Sequence, residues 1–195
     1  MIFKQINHHL GVSAFADYAV VDHRSIVKVD SDIPPQVAAL LGCAVLTGGG
    51  ALLNAVTLKR DLSVAIVGLG GVGLAALITA IALKTEKVYG IDLNQKKRAN
   101  AMTLGATAVF SGEDAISEGL KADVVIEAVG VAKAFELALE LTAPGGTLVS
   151  VGLPSANDMA TISPLSLVSQ GKKIVGSYLG SSIASRDIPI FADLW

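Results

Sequence analysis

Three glycines and one acid carry the most informative chemistry in this sequence. Gly68-Leu69-Gly70-Gly71-Val72-Gly73 follows the apolar run Ser63–Val67 and opens an Ala- and Leu-rich stretch, Gly71–Lys84. That spacing places a tight turn between a strand and a helix. The first glycine permits the turn, the second lets a pyrophosphate approach the backbone, and the third allows close helix–strand packing. The helix start adds unpaired N–H groups and about half a positive charge for the phosphates. Asp92 lies nineteen residues after Gly73, at the end of the next apolar run, Val88–Ile91. A carboxylate there accepts hydrogen bonds from the adenosine ribose and repels a 2′-phosphate, so the expected ligand is NAD rather than NADP. Lys97 and Arg98 follow closely and could soften that preference.

The elements that must position this turn alternate. Ser63–Val67, Val88–Ile91, Ala108–Phe110, Asp123–Glu127, Thr147–Val151 and Lys173–Leu179 read as strands. Gly71–Lys84, Gln95–Leu104, Ala132–Leu141 and Pro164–Ser169 read as intervening helices, with Gly105 and Pro144-Gly145-Gly146 as stops. Strands separated by helices imply an α/β fold: a Rossmann doubly wound parallel sheet of six strands in the order 3-2-1-4-5-6. The first sixty residues read otherwise. Ala14–Val21 and Ser25–Val29 look like two strands, Ile33–Leu41 and Thr47–Leu58 like helices, and Asp187-Ile188-Pro189 like a late helix start.

Composition narrows the function classes. The 195 residues carry a formal net charge of −2 with no basic block, which argues against nucleic acid as a partner. Cys43 is the only cysteine, so no disulfide framework forms and a cytoplasmic setting fits. No signal peptide pattern opens the chain. Mean hydropathy is +0.60, and Ile33–Leu58 and Leu62–Leu83 lack charge over lengths that could span a bilayer. Pro34-Pro35 opens the first run and Gly48-Gly49-Gly50 interrupts it. The second divides into strand, turn and helix, and buried parallel strands produce such runs without any membrane. The pair His8-His9 could bind metal but reads better as surface or packing, as does His23. Glu127 reads as a buried, paired acid without a catalytic role.

Together these segments resemble the zinc-type, medium-chain alcohol dehydrogenases, particularly the branch of glutathione-dependent, formaldehyde-active enzymes. The resemblance runs through His8–Tyr18, Leu41–Gly48, Gly68–Gly73, Gly90-Ile91-Asp92, Leu104–Thr107, Glu127–Gly130 and Gly145-Gly146-Thr147. It implies that Cys43 is one of three protein ligands to a catalytic zinc. It places Thr47 near the nicotinamide, where it could relay the alcohol proton. It assigns Asp92 and Lys97 to the ribose and Val72 to the back of the nicotinamide ring. Backbone near Val151 and Leu179 would meet the carboxamide, and Val129 and Gly130 join Gly68, Gly70, Gly71 and Gly73 at the cofactor.

The departures shape the expectation for this chain. The family's earlier cysteine ligand is missing, as are the Gly-His-Glu segment with its histidine ligand and the four-cysteine structural zinc lobe. Residues 1–32 then read as a remnant of a β-rich, GroES-like catalytic domain, and 33–195 as an NAD-binding domain truncated at its C-terminus. The implied function is hydride transfer between a small alcohol or aldehyde and NAD, with zinc only in the intact enzyme. This chain alone is expected to hold no zinc and to be inactive. A free-standing, non-catalytic NAD-binding domain is one alternative. A zinc-free quinone reductase relative is another, against which Cys43 and its flanking residues argue. A homodimer is expected through the Lys173–Leu179 edge and the preceding Ala160–Ile162 segment, unless Phe191 and Trp195 cover that edge.

Overall fold

The computed structural model describes residues 16–57 and 59–194. Six parallel strands form one sheet in the order β3-β2-β1-β4-β5-β6. They are β1 (Ser63–Val67), β2 (Lys87–Ile91), β3 (Ala108–Phe110), β4 (Ala122–Glu127), β5 (Thr142–Ser150) and β6 (Lys173–Gly176). The helices are α1 (Pro35–Leu40), α2 (Leu46–Asn54), α3 (Gly71–Ala82), α4 (Gln95–Thr103), α5 (Gly112–Ser117), α6 (Ala132–Leu141), α7 (Pro164–Ser169) and α8 (Ala184–Leu194). The expected Rossmann order is therefore present.

The central strands carry continuous apolar runs, Val64-Ala65-Ile66-Val67 in β1 and Val124-Val125-Ile126 in β4, because helices cover both faces. Val64 and Ile66 pack with Leu52, Leu77 and Val88 on one side. Ala65 and Val67 pack with Val125, Ala138 and Leu148 on the other. The register aligns the C-terminal strand ends: Val67 pairs with Ile91 and Glu127, and Ser150 pairs with Glu127 and Gly176. The loops after β1, β2, β4, β5 and β6 consequently leave from one rim, where ligands of open α/β sheets bind.

Several local expectations are corrected. Among the described residues no strand precedes Ser63, and a 3₁₀ turn occupies His23–Ser25. Alternation after Ser25 instead places Val27 and Val29 against the cluster of Leu41, Leu46, Ile188 and Phe191. Ala14 and Phe15, which open the first expected strand, lie outside the described residues, as does the pair His8-His9. The helices expected at Ile33–Leu41 and Thr47–Leu58 form one continuous helical run from Pro35 to Asn54, joined by a π-helical turn at Leu41–Val45.

Gly48-Gly49-Gly50 does not break that run, although glycine disfavours helices by about 1 kcal/mol per residue. Each glycine admits a neighbour instead. A Cβ on Gly48 would meet the Val72 carbonyl oxygen at 2.1 Å, one on Gly49 the Phe191 ring at 2.3 Å, and one on Gly50 Ser182 Oγ at 2.2 Å. The run is long and apolar enough to cross a membrane by length and composition. Its residues Leu46–Leu52 are instead buried inside the domain.

Further along, α5 is an additional helix between β3 and β4, started by a capping box between Ser111 and Asp114. β5 begins at Thr142 rather than Thr147, with Pro144-Gly145-Gly146 inside it at a register shift. β6 ends at Gly176 rather than Leu179, because the chain turns sharply over α2. Its edge of the sheet is correspondingly short. Phe191 packs against α2 rather than over β6, while Trp195 lies outside the described residues.

Candidate nucleotide-cofactor site

The turn after β1 is built by steric necessity. Gly68 has φ +94°, and a Cβ there would also strike Val129 Cγ2 at 2.5 Å. A Cβ on Gly73 would sit 1.8 Å from the Gly68 carbonyl oxygen. By contrast, a Cβ on Gly70 would meet nothing within 4 Å, so this face is open to a ligand. Leu69 is buried and anchors the turn. Gly70 is the extended N-cap of α3, with no side chain capping the helix. The N–H groups of the first turn of α3 are thus left for an anion. The arrangement fits a pyrophosphate.

Asp92 stands directly after β2. Its Oδ2 accepts the Leu69 N–H at 2.8 Å and its Oδ1 accepts the Asn94 N–H at 2.8 Å. Lys97 Nζ lies 3.6 Å from Oδ2, and the Asp92 side chain is 11% exposed. Burial pushes this carboxyl up, but the two N–H groups and Lys97 outweigh it, so its pKa lies below the usual carboxylate value. Asp92 is therefore anionic at neutral pH. Arg98 Nη1 donates to the carbonyls of Asp92 and Leu93 at 2.7 and 3.0 Å. Both cations near the acid thus have partners. Beside Asp92 opens an apolar cavity of about 210 Å³, lined by Val67, Ile91, Leu93, Val131 and Leu137 among others. It suits a flat apolar group next to a ribose.

The other expected residues fall on both sides of the turn. Val72 is half-buried in the first turn of α3, with its carbonyl against Gly48. Val129 and Gly130 follow β4, Gly130 with φ +79°. Their N–H groups donate to Glu127 Oε1 at 2.8 and 2.7 Å. Glu127 is 1% exposed and takes Ser150 Oγ on its other oxygen at 2.9 Å. The acid read from sequence only as buried and paired therefore ties the β4 loop to β5. Val151 continues from β5, its N–H donating to the Glu127 carbonyl at 2.9 Å. Leu179 lies in the turn after β6, with φ +48°.

Thr47 is 7% exposed within α2. Cys43 is exposed within the π-helical turn, and the neighbouring Ala44 lies 3.9 Å from the Cβ position of Gly71. The turn bearing Cys43 therefore adjoins the glycine loop. Among the described residues no group of three or more His, Cys, Asp or Glu side chains could hold a metal. The donor set around Cys43 does not fit a zinc site as it stands. The network of Asn54, Ser182, Arg186 and Asp187 is not legible in the sequence. No local pattern marks it, because Asn54 lies 128 residues or more from the other three.

Sheet order, glycine turn and strand-end acid together define a Rossmann-type nucleotide-cofactor domain. The profile of the zinc-binding dehydrogenases matches residues 71–194, and the chain belongs to that family. "Alcohol dehydrogenase-like 2" of Arabidopsis thaliana is 33% identical, over 97% of this chain and 52% of its own length. Two solved structures, each 29% identical and covering 94% of this chain and 52% of their own, are similar in fold. An alcohol dehydrogenase zinc-binding domain protein from Burkholderia ambifaria superposes with TM-score 0.89. Benzyl alcohol dehydrogenase from Acinetobacter calcoaceticus superposes with TM-score 0.87. The chain spans about half the length of these relatives.

Proposed function

We propose that this chain binds NAD in preference to NADP and serves as the cofactor-binding half of an NAD-dependent, zinc-type alcohol dehydrogenase. The observation that carries the reading is Asp92, anionic, at the end of β2 and bonded to the glycine turn at Leu69. Gly68, Gly70, Gly71 and Gly73 admit the pyrophosphate to the start of α3. Asp92 takes the adenosine ribose hydroxyls, with Lys97 beside it, and repels a 2′-phosphate. Val151 and Leu179 supply backbone to the nicotinamide carboxamide, Val129 and Gly130 lie at the cofactor beside the glycine turn, and Val72 packs behind the nicotinamide ring. When bound, NAD supplies the hydride acceptor for oxidation of a small alcohol to its aldehyde or ketone.

Cys43 as a zinc ligand and Thr47 as a proton relay belong to the complete catalytic site, whose further donors the described residues do not supply. By itself the chain binds cofactor without stoichiometric zinc and without turning over alcohol. That the described residues hold no such ligand cluster also favours a second reading, a non-catalytic NAD-binding module. A cytoplasmic location fits the lone exposed thiol.

Calorimetric titration with NAD and NADP, together with elemental analysis and an assay for alcohol-dependent NADH, tests these readings. Tighter binding of NADP defeats the cofactor assignment. One tightly held zinc per chain, or robust NADH formation, defeats the assignment of inactivity.

A further inference from the structure

Immediately after β6 the chain makes an unusual turn. Leu179, Gly180 and Ser181 all have positive φ, at +48°, +68° and +51°. Left-handed backbone is strained for Leu179 and Ser181, whose Cβ atoms crowd the following carbonyl, so the surroundings must impose it.

A network reaching across the sequence holds the turn. Asn54 Nδ2, at the end of α2, lies 3.2 Å from the Gly180 carbonyl, 3.2 Å from Ser182 Oγ and 3.1 Å from Asp187 Oδ2. Ser182 Oγ donates to the Leu46 carbonyl at 3.2 Å. Asp187, 1% exposed, accepts the Ile183 N–H at 3.0 Å and pairs with Arg186. Arg186 Nη2 closes the circuit by donating to Asn54 Oδ1 at 2.7 Å. Steric contact adds to this: a Cβ on Gly180 would sit 2.1 Å from the Leu46 carbonyl oxygen.

The turn also occupies a defined place on the rim. The glycine turn after β1 lies mid-sheet, and Asp92 assigns the β2 side to adenosine. The second mononucleotide half of such a site spans the ends of β4, β5 and β6. Ser177 donates its N–H to the Ser150 carbonyl at 2.9 Å, which levels the start of the turn with the end of β5.

We infer that Asn54, Ser182, Arg186 and Asp187 are positioning residues, holding the Leu179–Ser181 turn in the strained form that presents its backbone to the nicotinamide amide of the cofactor. The inference rests on the NAD-binding reading above. These side chains act through the turn rather than by touching the ligand. A staple that served stability alone would affect every ligand of the rim equally.

NADH and ADP-ribose, which lacks the nicotinamide, separate the two roles. Both are titrated into the wild-type chain and into Asn54→Ala and Ser182→Ala, each shown by circular dichroism to remain folded. Asn54→Ala is expected to weaken NADH binding about fivefold to tenfold, as for loss of one or two hydrogen bonds, and to leave ADP-ribose within about twofold. Ser182→Ala removes less and shows the same selectivity at about threefold. It also keeps the test decisive if Asn54→Ala does not fold. Equal losses for both ligands, or no loss for either, overturn the inference. Wild-type protein binding ADP-ribose and NADH equally tightly overturns it while sparing the cofactor reading. A wild-type chain that binds neither ligand overturns both.

Discussion

Asp92 Oδ2 accepts the backbone N–H of Leu69 at 2.8 Å, so the acid that ends β2 also ties down the glycine turn that follows β1. On the proposed cofactor reading, one carboxylate thus serves two functions: recognition of a ribose and support of the glycine turn that meets the pyrophosphate. They can be separated by substitution. Asp92→Asn keeps an oxygen for Leu69 but loses the charge that repels a 2′-phosphate. It is expected to narrow the NAD-over-NADP preference by about 1–3 kcal/mol, the range for a charged hydrogen bond. Asp92→Ala also frees the turn and weakens both cofactors. Calorimetric titration of both variants with both cofactors checks this, and an unchanged preference in Asp92→Asn refutes it.

Gly48 bears on stability. Its Cβ position lies 2.1 Å from the Val72 carbonyl oxygen and 2.8 Å from the Ala76 nitrogen, both backbone atoms that cannot rotate aside. Gly48→Ala should improve local helix propensity yet force α2 and α3 apart. A net destabilisation of about 1–3 kcal/mol is expected, as for other overpacked cores. Urea denaturation measures it. A variant as stable as wild type would show that the helices separate without cost.

Acid should weaken the Asp187 network. Arg186, followed by the Ile183 N–H, Asn54 and Ser182, lowers the Asp187 pKa from 3.8 to about 2 against the opposing effect of burial. A carboxyl depressed on folding stabilises the fold above its unfolded pKa, and that stability drains away as pH falls through the folded value. The contribution, on the order of 2 kcal/mol at neutral pH, should fade between about pH 4 and pH 2. Asp187→Asn should flatten the stability profile across that window. An identical acid limb in wild type and variant would contradict the assignment.

The short β6 edge sets the prediction on assembly. β6 is the outermost strand of the sheet, with Ile174 and Val175 half-buried on it. Joining two such edges about a two-fold axis would continue the sheet through a symmetric contact. A homodimer is expected in sedimentation equilibrium, weakened by Val175→Pro in a form shown to stay folded. A strictly monomeric chain at high concentration defeats the dimer. A dimer indifferent to Val175→Pro defeats its location.

The order of strands and helices, the glycine turn and Asp92 were legible in sequence because local constraints write them there. Only glycine adopts φ +94° at Gly68 without strain, and only glycine fits 1.8 Å from a carbonyl at Gly73. Strands covered on both faces must be apolar, so β1 and β4 announce themselves by composition. Tertiary structure decided the rest. Three consecutive glycines weaken the local preference for a helix at Gly48-Gly49-Gly50, yet close contact with Val72, Phe191 and Ser182 outweighs that local cost. Strand propensity carried β6 to Leu179, but the chain leaves the sheet after Gly176 and is held over α2 by Asn54, 133 residues distant from Asp187. Local sequence specifies what a short segment can do alone. Contacts between distant residues have no local signature, and their combined energy exceeds the roughly 1 kcal/mol preferences on which a local reading depends.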